Sequence, residues 1–404
     1  MISGPSALVA VFGVAFLCGC TAPEPPPQAA RPVIAPIAET PLPPPPPVTQ
    51  APAAPAAVPP PLIAVTAGRI KAAMLIPLTG PNKSVGQAML DAANMALFDV
   101  SANIALLPRD TGNGTDGARA AAEKAIADGA DVILGPVFSA SVPPAGEAAQ
   151  GSQIDLIAYS TDASVAGGNV FVMGFLPAQQ IERVVGFAKS RGLTKLAALV
   201  PDNAYGVAVT EEIGRIRPQL GLQPPKIMIV TRDIKGQIAS LGDDPPEMLL
   251  IALGGEQLIG LAPALKDYAA AHPVQLLGTG LWDDPALSQV PALAGGWYAA
   301  PPPGNFAAFE GRFQQIYRYQ PPRIATLAYD SVALAASIAK GSTGGSNPFT
   351  RDVLVQPNGF TGIDGGFRFL PTGLSERNLA VLAVGPGGPG IVDEPPPTFE
   401  KSGE

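Results

Sequence analysis

The chain has 404 residues, a formal net charge of −8, one histidine and two cysteines, with 48 prolines and 45 glycines. An acidic balance without a basic stripe excludes nucleic-acid binding, because nothing would release counterions from phosphates. Cys18 and Cys20 are the only cysteines, so disulfide and thiolate chemistry are excluded from everything that follows them.

The first element is an apolar run from Ala7 to Leu17, too short to span a bilayer and of the length of a signal-peptide core. It ends in Leu17-Cys18-Gly19-Cys20, two small residues ahead of a cysteine, which suits the cleft of a lipoprotein signal peptidase. Residues 1–19 are therefore expected to be a signal peptide and Cys20 the lipidated residue; a plain secretory signal or a short buried helix is the alternative. Thr21, where an Asp would favour inner-membrane retention, points to the outer membrane in a Gram-negative host. Residues 20–67 are dominated by Pro and Ala, including Pro43 to Pro47, and have no apolar periodicity to bury. They are expected to be a disordered tether of polyproline II character, able to reach on the order of 100 Å. A second disordered segment is expected at 393–404, around Pro395 to Pro397. No apolar run of transmembrane length follows the signal.

Between these ends, residues 68–392 alternate strand and helix. Strands are expected at Ile70–Pro77, Ile104–Pro108, Asp131–Gly135, Ile154–Tyr159 and Val170–Gly174, with helices at Gly86–Ser101, Gly117–Asp128 and Val142–Gln150. A second set runs through a helix at Ala178–Arg191, a strand at Leu196–Val200, a helix at Tyr205–Leu220 and a strand at Ile227–Val230. It ends with a strand at Met248–Leu253, a helix at Gln257–Ala271 and a strand at Leu276–Thr279. Continuously apolar strands spaced by helices read as parallel sheets covered on both faces. Gly129, Gly192 and Gly221 each fall just past a helix, where a left-handed residue is wanted. Helices at Asn305–Tyr319 and Arg323–Lys340 and strands at Phe367–Leu370 and Leu379–Val384 complete the pattern.

The fold class is thus α/β: two doubly wound βα lobes with a cleft between them at the carboxyl ends of the strands. Lobe 1 is expected over 68–175 and 303–349, lobe 2 over 176–302 and 350–392, with crossings near 175, 302 and 350.

Catalysis is not expected. His272 precedes Pro273 at a helix-to-strand junction, so no Ser-His or Cys-His system has a base. There is no G-x-S-x-G, no Walker-type loop and no His/Cys metal spacing. Gly112 to Gly117 matches G-x-G-x-x-G, but three residues separate it from its strand and no acidic residue ends the next strand, so a βα turn is the better reading. No cofactor and no metal are expected. What remains is recognition. Ser139 and Ser141, then Ser160 and Thr161, follow strands of the first lobe and can offer hydroxyls and amides to a carboxylate. Tyr205 and Trp282 can close a pocket from lobe 2, and Tyr329 can line it from lobe 1. Ordinary N-caps and aromatic core filling are the competing structural roles. The first crossing, Phe175 to Gln180, holds no carboxylate for a ligand ammonium; Asp162, Asp283 and Asp284 stand as candidates.

The stretch Leu75-Ile76-Pro77-Leu78-Thr79-Gly80-Pro81, with Gly86-Gln87-Ala88, resembles the opening of type I periplasmic binding proteins of the leucine/isoleucine/valine class. Gly135 to Ser139 and Tyr205-Gly206 sit where that class carries its ligand loop and its second-lobe helix start. The resemblance runs from Arg69 to Val384 and implies the two-lobed fold. A narrower set is Leu107-Pro108-Arg109-Asp110-Thr111-Gly112, Gly174-Phe175-Leu176-Pro177, Gly278 to Asp284, Leu327-Ala328-Tyr329-Asp330 and Gly359 to Gly365. These segments resemble lipoproteins that activate penicillin-binding proteins. That resemblance implies an outer-membrane lipoprotein whose partner is a peptidoglycan synthase. The alternative is a substrate-binding receptor of an ABC transporter, taking an amino acid or another small polar solute and docking on a permease. Full-length enterobacterial activators also carry a helical-repeat N-terminal domain, where this chain has its Pro-rich segment.

Overall fold

The computed structural model describes residues 70–100, 104–112, 114–341 and 347–399. The expected signal peptide, Cys20 and the Pro/Ala-rich segment lie outside the described residues. In chain order the elements are β1 (Ile70–Ile76), α1 (Lys83–Val100), β2 (Ile104–Asp110), α2 (Thr115–Ala127), β3 (Val132–Leu134), α3 (Val142–Gln150), β4 (Leu156–Ala158) and β5 (Val170–Val172). Then come α4 (Pro177–Ser190), β6 (Leu196–Val200), α5 (Ala204–Leu220), β7 (Lys226–Ile229), α6 (Ile234–Ala239), β8 (Met248–Ile251), α7 (Gly255–Ala271), β9 (Gln275–Gly278) and β10 (Trp297–Ala300). The remainder is α8 (Pro303–Tyr317), α9 (Ala325–Gly341), α10 (Arg351–Leu354), β11 (Phe360–Gly362), β12 (Gly365–Phe369), β13 (Ser375–Arg377), β14 (Ala380–Ala383) and β15 (Gly390–Asp393).

Two sheets carry the two lobes. The first is parallel, in the order β2-β1-β3-β4-β5. The second has the order β15-β14-β10-β9-β8-β6-β7, parallel from β10 to β7 and antiparallel where β14 and β15 join. Alternation along the strands explains the two-sided burial. On β1, Ala72, Met74 and Ile76 enter the cluster under α1 and α9, while Ala73 and Leu75 enter the cluster under α2 and α3. On β6, Ala197 and Leu199 face one core and Leu196, Ala198 and Val200 the other. Gly129, Gly192 and Gly221 all have positive φ, as helix-terminating residues should.

The lobes are joined at residues 173–176, 301–302 and 378–379, between the elements that flank them. The last of these corrects the expectation of a crossing near 350. After α9 the chain stays with lobe 1: Leu354, Phe367 and Phe369 pack in the same core as Met74 and Phe171, and β11, β12 and β13 form a small antiparallel sheet there. The strand expected at Phe367–Leu370 therefore belongs to lobe 1, whereas β14 does extend lobe 2. Phe369 meets Phe171 edge-on at 5.3 Å, which fixes the small sheet against β5. Pairing of β12 and β13 was not legible because their Arg and Glu residues break the apolar pattern. The disordered tail expected from 393 also needs correction. Asp393 ends β15 and pairs with Arg183 at 2.5 Å, and the Phe399 ring lies 4.9 Å from the Arg368 guanidinium.

Candidate functional site

The carboxyl ends of the strands form the two lips of the cleft. On lobe 1, the loop after β1 is held by Asp110 at the end of β2. Its Oδ1 accepts the Leu78, Thr79 and Gly112 amides at 2.8, 3.2 and 2.8 Å, and its Oδ2 accepts the Thr79 hydroxyl at 2.6 Å. Burial alone would raise this carboxyl, but the four bonds together outweigh it and hold Asp110 below the usual carboxylate range. Gly86 is required by the same packing: a Cβ there would sit 1.9 Å from the Pro77 carbonyl oxygen.

Four of the expected residues share this lip, at the ends of the paired strands β3 and β4. Ser139 opens a short 3-10 turn, Ser139–Ser141, and is exposed. Ser141 is buried at the start of α3. Ser160 is buried, and its Oγ accepts the Asp162 amide at 3.0 Å; Thr161 is exposed. The lip thus offers Ser139 and Thr161 directly and places Ser160 behind them.

Lobe 2 supplies the opposite lip from β6, β8 and β9. Asn203 caps α5 by accepting the Gly206 amide at 3.1 Å, which sets Tyr205 in the first turn. The Tyr205 hydroxyl donates to Thr279 at 2.8 Å, so it spans from the end of β6 to the end of β9, and burial raises its phenol to about 12. Trp282 is a correction. It is 1% exposed, and its indole N–H donates to the Ile251 and Leu253 carbonyls, both at 3.1 Å. It fills the lobe 2 core and does not line the cleft. Tyr329 is a second correction. Its hydroxyl donates to Asp99 at 2.7 Å and its ring meets Phe309 at 5.8 Å. Asp99 lies in the last turn of α1, about 24 Å along the helix from the end that faces the cleft.

The three carboxylates expected for an ammonium are all committed elsewhere. Asp162 accepts the Ser164 amide and hydroxyl at 2.9 and 2.6 Å, Asp284 accepts the Ala286 amide at 2.9 Å, and Asp283 pairs with Arg323 at 3.1 Å. Two others were missed. Asp202 follows β6 and Glu256 opens α7 after β8; both are exposed, and neither carboxylate has a partner among the described residues. Because β6 and β8 are neighbours, the two acids share the lobe 2 lip. The signal for them was positional: acidic residues just past the carboxyl ends of adjacent parallel strands.

Behind the lips, the wall at the crossings is charged and buried. Arg323 lies 4.1 Å over the Phe306 ring, and its Nη2 donates to Asp364 at 2.7 Å. Asp364 is fully buried and also accepts the Thr326 hydroxyl. Asp330 accepts the Ile363 amide at 2.7 Å; burial first, and then the nearby Asp364 charge, raise its carboxyl above the usual range. Arg377 is stacked between Phe175 and Phe367, at 5.0 and 5.1 Å, and its Nη2 donates to the Met173 carbonyl at 2.8 Å. Phe175, Asp283, Asp330, Ile363 and Asp364 come from four of the five segments that carry the narrower resemblance, and they meet in this wall.

Comparison with known proteins follows from this geometry. A family model described as "Periplasmic binding protein" matches residues 69–385. An uncharacterized protein of Rickettsia prowazekii, RP748, is 26% identical over 147 residues, which is 36% of this chain and 39% of that protein. The chain therefore spans well under half the length of that relative. A crystal structure of a putative branched-chain amino acid ABC transporter protein from Rhodospirillum rubrum superposes with a TM-score of 0.72 at 19% identity, covering 80% of this chain and 100% of that one. The leucine-, isoleucine-, valine-, threonine- and alanine-binding protein of Brucella ovis, in a closed conformation, gives a TM-score of 0.66 at 18% identity, covering 82% and 95%. At these identities the structural likenesses establish the type I two-lobed fold.

Proposed function

Because the chain belongs to the periplasmic binding protein family, we propose that it is a periplasmic solute receptor whose lobes close on a small polar molecule. The observation that carries this reading is the unequal chemistry of the lips. At the ends of β3 and β4 lobe 1 offers the Ser139 and Thr161 hydroxyls, with Asp162 beside them committed and its uncommitted acid, Asp116, out at the start of α2 after the edge strand β2, whereas lobe 2 offers Asp202 and Glu256 uncommitted. A zwitterion suits that division, with its carboxylate toward lobe 1 and its ammonium toward lobe 2. The Brucella protein, named for the amino acids it binds, has the same fold and supports the choice of ligand class. A receptor of this kind performs no catalysis, and its second partner is an ABC permease. Isothermal titration of the full chain in detergent with leucine, alanine, threonine, glutamate and D-alanine tests this. Micromolar binding to at least one is expected; no heat from any of them, with the protein folded, would sink the reading.

A second reading, regulation of a peptidoglycan synthase from the outer membrane, draws support from the five motif segments and from the Pro-rich stretch, whose reach matters if the domain must approach a wall-embedded enzyme. Recovery of a penicillin-binding protein with the full chain from solubilised envelopes is its test. Both readings include lipid attachment at Cys20. Substitution Cys20→Ala should release the chain from the membrane fraction, and unchanged retention would refute attachment there.

A further inference from the structure

An ion pair joins the two lobes beside the 301–302 crossing. Arg323 belongs to lobe 1, where Phe306 lies beneath it and Asp364 takes its Nη2. Asp283 belongs to lobe 2: it follows Trp282, which is anchored in the core, and its carboxylate accepts the Tyr298 hydroxyl at 3.5 Å. Arg323 Nη1 and Asp283 Oδ2 stand 3.1 Å apart, with their side chains 19% and 16% exposed. Tyr298 and Phe306, which hold the two partners, flank the crossing at 301–302. The lobes also meet where Gln179 binds the Ser375 carbonyl and, at 3.0 Å, the Arg377 amide beside the 378–379 crossing, and where Phe399, beyond β15, lies 4.9 Å from the Arg368 guanidinium.

Each member of the Asp283–Arg323 pair is held on its own lobe without the other. Opening the lobes would leave Arg323 neutralised by Asp364 and would cost one partly exposed ion pair. Opening would return the nearly buried Asp283 carboxylate to water, and its hydration offsets much of the lost pair, which keeps the motion reversible. The charged and titratable groups facing Asp283 are Arg323 from the start of α9, Asp364 from the β11–β12 turn, Tyr298 from β10 and Asp284 beside it.

We infer that Asp283 and Arg323 form an inter-lobe latch that holds the lobes at their present separation and sets how readily the cleft opens. The latch concerns lobe motion and needs no ligand to be tested. Spin labels on Glu123→Cys in α2 and Lys266→Cys in α7, both exposed positions, report the inter-lobe distance by double electron–electron resonance. The background is the full chain with Cys18→Ser and Cys20→Ser. Substitution Asp283→Asn should move population to longer distances, changing the open-to-closed ratio about tenfold. Asp283→Glu, which keeps the charge, should restore the parental distribution. Asp364→Asn removes a partner of the same guanidinium within lobe 1 and should lower stability without widening the distribution. Should Asp283→Asn fail to fold, Arg323→Lys shortens the reach across the gap and must widen the distribution instead. A folded Asp283→Asn or Arg323→Lys protein with parental distances overturns the latch.

Discussion

The hinge wall and the cleft lips both hold carboxylates, in opposite circumstances. Asp364, Asp330 and Asp283 are buried or nearly so and spend their oxygens on Arg323, Thr326, Tyr298 or backbone amides. Asp202 and Glu256 lie in water with their oxygens free. Burying a charge is tolerated only when it is paired and hydrogen-bonded, so the wall's acids are fixed by folding and cannot serve a ligand. The lip acids pay no such cost and remain available. It follows that the most recognisable segments of the chain report on how the lobes are joined, whereas the ligand chemistry lies in plainer loops.

The sharpest way to break this comparison is to remove one acid of each kind. Substitution Asp364→Ala leaves Arg323 without its carboxylate partner in lobe 1 and removes one of the two acceptors of the Thr326 hydroxyl, leaving the Arg323 carbonyl. It should cost about 3–5 kcal/mol of stability. Substitution Asp202→Ala should change stability by no more than about 0.5 kcal/mol. Urea unfolding of the two variants measures both, and similar losses would erase the distinction.

Ligand affinity should follow the reverse order. Under the receptor reading, Glu256→Gln or Asp202→Asn removes the charge that faces an ammonium and should weaken amino-acid binding at least about tenfold for whichever acid makes the contact. The same substitutions should leave the urea midpoint unchanged. Affinity retained in both variants would mean that the ammonium is met elsewhere, or that the ligand carries none.

How much of this was legible follows from what each residue does. The apolar strand runs, the helix-ending glycines and the alternation of strand and helix made the two sheets readable, because burial on both faces demands continuous apolar strands. The return of 351–377 to lobe 1 was not readable. Its strands are short, and Arg368, Glu376 and Arg377 occupy positions that only a charged inter-lobe wall explains. Trp282 and Tyr329 were drawn to the cleft by their aromatic character, yet indole N–H bonds to carbonyls and a phenol bond to Asp99 give both a structural role. Ser139, Ser160 and Thr161 were found because strand ends are where ligands bind. Asp202 and Glu256 obey the same rule, at the ends of β6 and β8 and not at the first crossing.

A third kind of carboxylate separates burial from pairing. Asp155, just before β4 and at the opposite end of the sheet from the cleft, is partly buried and its side chain accepts no hydrogen bond among the described residues. Burial raises it to about 6, and the Arg351 charge offsets only part of that. A carboxyl whose folded pKa lies above its unfolded value contributes stability that is fully present below pH about 4 and is lost as pH rises through about 6. Asparagine at this position cannot ionise, so Asp155→Asn should match the parent in acid and exceed it at pH 8. After allowance for solvent screening, the gain should be on the order of 1 kcal/mol. Unfolding by urea at half-unit steps from pH 4 to 8 would show the difference growing between about 4 and 7 and level above. A difference that does not depend on pH would mean that packing, not the charge, decides the effect. The hinge acids would then owe their cost to lost contacts rather than to unpaired charge.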